Sequence, residues 1–143
     1  MNKDYLVISE HGLAFRVMPD ESVSKLKFMQ GLVGGLIERV SYHGHDGVDC
    51  WVNEEGMLLG MNVNMTASII CNHMIAGTAI FAGTDGEDIA PCPEDFIKSM
   101  TEIGGLKIEH FGLLPDGSGR REAFEYDDVI RIMKADNEEV QNA

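Results

Sequence analysis

The chain has 143 residues, of which 44% are hydrophobic and 24% charged, a composition typical of one folded domain with a sizeable buried core. Its 24 acidic and 11 basic side chains give a formal net charge of −13. This charge disfavours binding to nucleic acid or to an anionic membrane, because phosphate binding depends on Lys and Arg. The acidic surface either keeps the protein soluble or engages a basic partner.

Other broad features narrow the class of protein. No apolar run approaches the roughly 20 residues that span a bilayer, and the first residues lack the apolar core of a signal peptide. We therefore expect a cytoplasmic protein. Three cysteines without CxxC spacing argue against a disulfide framework and a zinc ribbon, and the sequence indicates no cofactor.

Short apolar runs and alternating runs together predict seven strands, several of them joined as hairpins. They cover residues 5–8, 13–17, 36–43, 49–53, 57–61, 75–82 and 106–111. The fourth and fifth are predicted to form a central hairpin, because Asn53-Glu54-Glu55-Gly56 between them is typical of a tight turn. The run 75–82 is apolar almost throughout, so we expect it to be buried on both faces and to end at Gly83.

Helical spacing predicts three helices, over residues 23–33, 93–102 and 126–134. Asp20 or Ser22 is expected to cap the first, and Gly34-Gly35 to end it. Residues 66–73 suit either a short helix capped by Thr66 or a strand. The resulting fold class is α+β: a small, mostly antiparallel sheet built from hairpins, with two or three helices packed against it. We predict a single domain over residues 1–143.

The segment 43–49 contains a candidate metal site. Alternate strand residues point the same way, so His43 and His45 can present two nitrogen ligands, with Asp49 or Cys50 as a third. The alternative is a surface loop, because Gly44 and Gly47 interrupt the segment.

A second group of residues suits a small polar ligand. Asparagines and carboxylates near glycine-containing turns can hydrogen-bond such a ligand, and nearby cations can offset the negative charge if it is a nucleotide. The candidate residues are Asn53, Glu54, Glu55, Asn62, Asn64, Lys25, Lys27 and Arg39.

The sequence contains no convincing catalytic set, and we assign no catalytic residue. Cys71 and His73 are too close along the chain for the usual geometry of base and nucleophile. Glu54 and Glu55 are expected to be solvated on a turn. Met57, Met61 and Met65 are either core residues or an adaptable binding surface.

Four segments, in this order and spacing, resemble one family. They are Val33-Gly34-Gly35-Leu36-Ile37-Glu38, Val52-Asn53-Glu54-Glu55-Gly56-Met57-Leu58-Leu59-Gly60, Asn64 and Ile75-Ala76-Gly77-Thr78. The family is domain of unknown function 3846, found in bacteriophages and in bacterial genomes that carry mobile elements. The resemblance covers residues 4–100 and implies an intracellular accessory protein encoded by a phage. It implies no catalytic residues, and it excludes the acidic extension 101–143, which carries the predicted terminal helix.

Three functions are therefore weighed. The first is a non-enzymatic interaction protein that binds a host protein through its acidic surface, or packs with itself as a homo-oligomer through an exposed strand edge. The second is a module that sequesters a nucleotide-derived signal. The third is a metal-dependent enzyme built on His43 and His45. The first is our expectation.

Overall fold

The computed structural model describes residues 3–19, 23–40, 42 and 44–111. Within them it contains three helices and seven strands. The helices are α1 (Lys25–Val33), α2 (Met65–Cys71) and α3 (Glu94–Glu102). The strands are β1 (Tyr5–Ile8), β2 (Ala14–Val17), β3 (Ile37–Val40), β4 (Val48–Asn53), β5 (Ala79–Asp85), β6 (Asp88–Ala90) and β7 (Ile108–Phe111). The predicted α+β class, with a mostly antiparallel sheet, is confirmed.

One sheet runs through these residues in the order β3-β4-β5-β1-β2-β7. Neighbouring strands are antiparallel, except that β7 lies parallel to β2. The short β6 pairs with the last part of β5. The predicted strands 36–43 and 106–111 correspond to β3 and β7, although residues 41 and 43 lie outside the described residues.

Helices cover both faces of the sheet. Alternate residues of a strand point to opposite faces, and all four residues of β1 are buried. Tyr5 and Val7 pack with α1 on one face, whereas Leu6 and Ile8 belong to the core beneath α2 and α3 on the other. This explains why β1 reads as a continuous apolar run rather than an alternating one.

The predicted central hairpin is wrong in its second half. Residues 54–60 form consecutive turns instead of a strand, held by bonds from Leu59 N–H to Glu55 C=O (2.8 Å) and from Met61 N–H to Gly56 C=O (3.0 Å). The reason lies in the sheet: β4 pairs with β3 on one side and with β5 on the other. No edge of β4 is left for a strand at 57–61.

The predicted strand 75–82 is shifted. β5 begins only at Ala79 and continues past Gly83 to Asp85. Before it, Ala76 forms an isolated bridge with Val63. Gly83 therefore lies inside the strand instead of ending it. A Cβ at this position would lie 2.5 Å from Pro91 O, so the close approach of the two backbone segments requires glycine. The short β6 that follows was not predicted from the sequence.

Two helix starts also differ from prediction. Ser24 caps α1 by accepting a bond from Lys27 N–H (3.2 Å), whereas the expected caps Asp20 and Ser22 lie outside the described residues. The ambiguous segment 66–73 is helical only as far as Cys71, where α2 ends, and Asn64 caps this helix rather than Thr66. Gly34 ends α1 in the left-handed conformation, as predicted. The predicted helix 126–134 lies outside the described residues.

Asn64 connects three segments that are distant in sequence. Its side chain is fully buried and donates to Ile8 O (3.0 Å) and Gly77 O (2.9 Å), while its Oδ1 accepts from Ala67 N–H (3.0 Å). Its backbone N–H donates to Ile75 O at 2.7 Å. One side chain thus joins the end of β1, the segment before β5 and the start of α2.

Replacing Asn64 is expected to be costly. Asn64→Ala removes a helix cap and leaves buried polar groups without partners, so the free energy of unfolding should fall by about 2–4 kcal/mol. Urea denaturation of both proteins measures this. Asn62→Ala is the matched control, because the hydrogen bond from the Asn62 side chain to Glu10 is long, at 3.4 Å, and its loss should cost less than about 1 kcal/mol. Equal losses for the two variants would contradict the assigned role.

Tyr5 predicts a specific response to alkaline pH. Burial, followed by the charge of Asp88, raises the pKa of Tyr5 from 10.0 to about 12. Because the folded-state pKa is the higher one, the contribution of Tyr5 is complete below pH 10 and is lost as the pH rises towards 12. Between about pH 8 and about pH 11, the wild type should lose about 1 kcal/mol more stability than Tyr5→Phe. Urea denaturation across this range checks it, and parallel stability curves would refute it.

Candidate functional site

The most unusual surface in the described part of the chain is apolar. Large hydrophobic side chains are exposed on the turns after β4, at the bridge segment and on α2, with Leu58 87% and Ile69 75% exposed. We call this set the apolar surface: Met57, Leu58, Leu59, Val63, Met65, Ile69 and Met74. Of the predicted methionine surface, Met57 and Met65 are exposed, whereas Met61 is half-buried.

Short contacts join the parts of the apolar surface. Val63 pairs with Ala76, and Asn64 bonds to Ile75, so Met65 and Met74 directly flank this paired segment. The Ser68 hydroxyl of α2 accepts a bond from Ile75 N–H (2.9 Å). Met65 and Ile69, four residues apart, therefore share one side of a helix that is fixed to the same segment.

The turns that carry Met57 to Leu59 lie over this segment as well. A Cβ on Gly56 would come within 2.9 Å of Ala76 O, and a Cβ on Gly77 within 2.8 Å of the Met61 sulfur. Both glycines therefore permit a close approach of two backbone segments. The turns, the bridge and α2 are consequently adjacent in the fold, which places their exposed apolar side chains in one region of the molecule.

The charges around the apolar surface are negative. Glu54 and Glu55 are exposed directly before Met57. The chain contains no Lys or Arg between residues 40 and 97, a stretch that includes the whole apolar surface. A binding partner with apolar and cationic groups would meet complementary chemistry here.

The predicted asparagines have mainly structural roles. Asn53 is buried, donates to Val33 O (3.0 Å) and accepts from Glu55 N–H (2.7 Å). Asn64 is fully occupied as described above. Asn62 is half-buried and contacts Glu10. Two of the three asparagines thus direct their amide groups at the protein's own backbone.

The predicted cations do not join these asparagines. Lys25 donates hydrogen bonds to Asp88 (2.8 Å) and to Ile89 O (2.7 Å). The bond to Asp88 lowers the pKa of the Asp88 carboxyl. That contact lies beyond the start of β1, whereas Asn64 contacts its end. Lys27 is exposed on α1. Arg39 lies on the edge strand β3, opposite Trp51.

Of the candidate metal ligands, the structure describes His45, Asp49 and Cys50. His45 Nε2 lies 3.3 Å from Asp95 Oδ2, and its ring packs edge-on against Phe96 on the α3 side of the sheet. Asp49 alternates with the inward-facing Val48 and Cys50, and so points to the other face. His43 lies outside the described residues. Within residues 3–19, 23–40, 42 and 44–111, no three His, Cys, Asp or Glu side chains are grouped around a metal-sized space, and the metal site stays a prediction.

A partly buried ionic cluster centred on Arg16 was not predicted from the sequence. Arg16 on β2 donates from Nε to Asp4 (2.9 Å) and from a terminal nitrogen to Glu94 at the start of α3 (2.7 Å). Burial disfavours the guanidinium charge, but its bonds to Glu94 and Asp4 outweigh this and raise the Arg16 pKa. The cluster borders an open cavity of about 180 Å³. Its partners account for the burial of a charge that the strand pattern alone leaves unexplained.

The three cysteines are buried free thiols. A hydrogen bond to Cys71, followed by burial, raises the pKa of Cys50, and burial raises that of Cys92. The hydrogen bond that Cys50 donates lowers the pKa of Cys71, and burial acts in the opposite direction. Since Cys71 is buried and His73 is exposed, the two side chains do not form a nucleophile and base.

No helix within the described residues is long and apolar enough to cross a membrane.

Comparison with known proteins identifies the family of the chain and gives no information on the site. Comparison with curated proteins gives no significant match, and neither does comparison with solved structures. Residues 3–104 match the family described as "Domain of unknown function (DUF3846)", in agreement with the resemblance over residues 4–100. The chain belongs to this family.

Proposed function

We propose that the protein is a non-enzymatic interaction protein that binds another protein through the apolar surface. The observation that carries this proposal is the exposure of seven large hydrophobic residues on adjacent segments of the fold. Soluble proteins rarely expose contiguous apolar patches larger than a few hundred Å², and larger patches typically mark interaction sites.

The size of the surface supports a protein partner. The seven residues are between 40% and 87% exposed, so together they expose more than the equivalent of four complete residues. Each partner in a standard protein interface buries about 800 Å². The apolar surface can therefore form most of the centre of such an interface.

The proposal modifies the expectation of an acidic binding surface. Glu54 and Glu55 border the apolar surface, so in the proposed complex the acids form a polar rim around an apolar centre, the usual arrangement of protein interfaces. The acids then favour one kind of partner, while burial of the hydrophobic side chains supplies most of the affinity. In keeping with the family resemblance, we propose a host protein as the target of an accessory factor from a phage or mobile element.

Charge substitutions in the apolar surface test this function. Leu58→Asp and Ile69→Asp place a carboxylate in the centre of the proposed interface and should each reduce partner capture from a bacterial lysate at least tenfold, about 1.4 kcal/mol. Quantitative mass spectrometry of the captured proteins measures the reduction. Both side chains are exposed, so the free energy of unfolding should change by no more than about 0.5 kcal/mol.

Leu26→Asp is the matched control for these variants. Leu26 is an exposed leucine on α1, which covers the opposite face of the sheet from α2. It introduces the same charge without touching the apolar surface, and capture should be unchanged. Equal capture by wild type, Leu58→Asp and Ile69→Asp would refute the proposed function.

A further inference from the structure

The geometry and charge of the apolar surface point to a particular partner: we propose that it binds a basic amphipathic helix of another protein. This inference rests on the proposed function and specifies the chemistry of the partner. It is argued from the side-chain types on the surface, from its charged border and from the absence of cations in the surrounding sequence.

The side chains suit an apolar helix face. Three of the seven residues, Met57, Met65 and Met74, are methionines, whose unbranched side chains adapt to different apolar shapes. Leucine and isoleucine beside them add apolar area. An amphipathic helix presents a stripe of apolar residues at positions i, i+3, i+4 and i+7 and commonly binds to such a surface.

The border determines the sign of the partner's charge. Glu54 and Glu55 are exposed next to Met57, and the segment 57–74 that carries the apolar surface contains no Lys or Arg. A helix with Lys or Arg beside its apolar stripe would place these cations near the carboxylates. A helix with acidic flanks would meet repulsion.

The same carboxylates disfavour two other candidate partners, a second copy of the chain and an anionic lipid surface. A second copy would bring an identical acidic border against the first in a symmetric dimer, and each chain carries a net charge of −13. An anionic lipid surface would repel the protein for the same reason. The cationic helix combines apolar contact with electrostatic attraction.

Calorimetric titration of the full chain with three designed peptides tests the proposal. Each peptide has about 18 residues, roughly five helical turns. The first carries Leu at helical spacing with Lys elsewhere, the second has the same Leu positions with Glu elsewhere, and the third has the Leu/Lys composition with the helical spacing scrambled. The first should bind at least tenfold more tightly than either of the others, and added salt should weaken it.

Protein variants locate the site of binding. Leu58→Asp and Ile69→Asp should weaken binding of the Leu/Lys helix at least tenfold, whereas Leu26→Asp should leave it unchanged. The double variant Glu54→Gln/Glu55→Gln should weaken binding and reduce its salt dependence. Circular dichroism of each variant confirms folding, and the exposed positions of Leu58 and Ile69 provide two independent substitutions.

Several results would overturn the inference. They include equal binding of the helical and scrambled Leu/Lys peptides, and equal effects of Leu58→Asp and Leu26→Asp. A wild-type dimer that Leu58→Asp converts to monomer in sedimentation equilibrium would assign the surface to a second copy. Co-sedimentation with phosphatidylcholine vesicles that Leu58→Asp abolishes would assign it to lipid.

The two proposals can fail separately. If the Leu/Lys helix does not bind but Leu58→Asp still removes captured lysate proteins, the proposed function stands and the helical, basic partner is wrong. If neither peptide binding nor lysate capture depends on Leu58 and Ile69, both proposals are wrong.

Discussion

The buried amide of Asn64 is the interaction on which this region of the fold depends. It satisfies Ile8 O at the end of β1, Gly77 O before β5 and Ala67 N–H at the start of α2. A buried polar group without partners is costly, so these three backbone segments must stay close together. The arrangement also directs Val63, Met65 and Met74 outward, because Asn64 and Ile75 between them point into the core. The apolar surface is thus supported by a rigid polar connection beneath it.

Sequence patterns within a few residues were enough to predict four of the elements. β1 follows from its continuous apolar run, β2 from alternation, and α1 and α3 from helical spacing. The segment 57–61 shows the limit of this reasoning. Met57, Leu58 and Leu59 have the composition of a strand, but β3 and β5 already occupy both sides of β4. Which strands are neighbours is a property of the whole sheet, and it left these residues on the surface as turns.

The roles of polar residues were still harder to predict. Asn53 and Asn64 looked like ligand-binding residues because asparagine favours turns, yet both hold buried backbone groups. Arg16 lies in a strand that the sequence predicts, but its partner Glu94 lies 78 residues further along the chain. Long-range pairing of this kind leaves no periodic signal in the sequence. The apolar surface itself was predicted only in part, through Met57 and Met65.

The charge distribution explains how a protein can expose so much apolar area and still choose its partners. The edge strand β3 carries Glu38 and Arg39 at its centre. Antiparallel pairing of two copies places like charges opposite each other when it is centred on either residue, and opposite charges when it is centred between them, so these charges restrict the register of an edge pairing. At the apolar surface, the carboxylates repel another copy in the same way. In the proposed complex, repulsion between identical acidic chains and attraction towards a cationic helix have the same origin, so one set of charges would disfavour a second copy at this surface and favour the proposed partner.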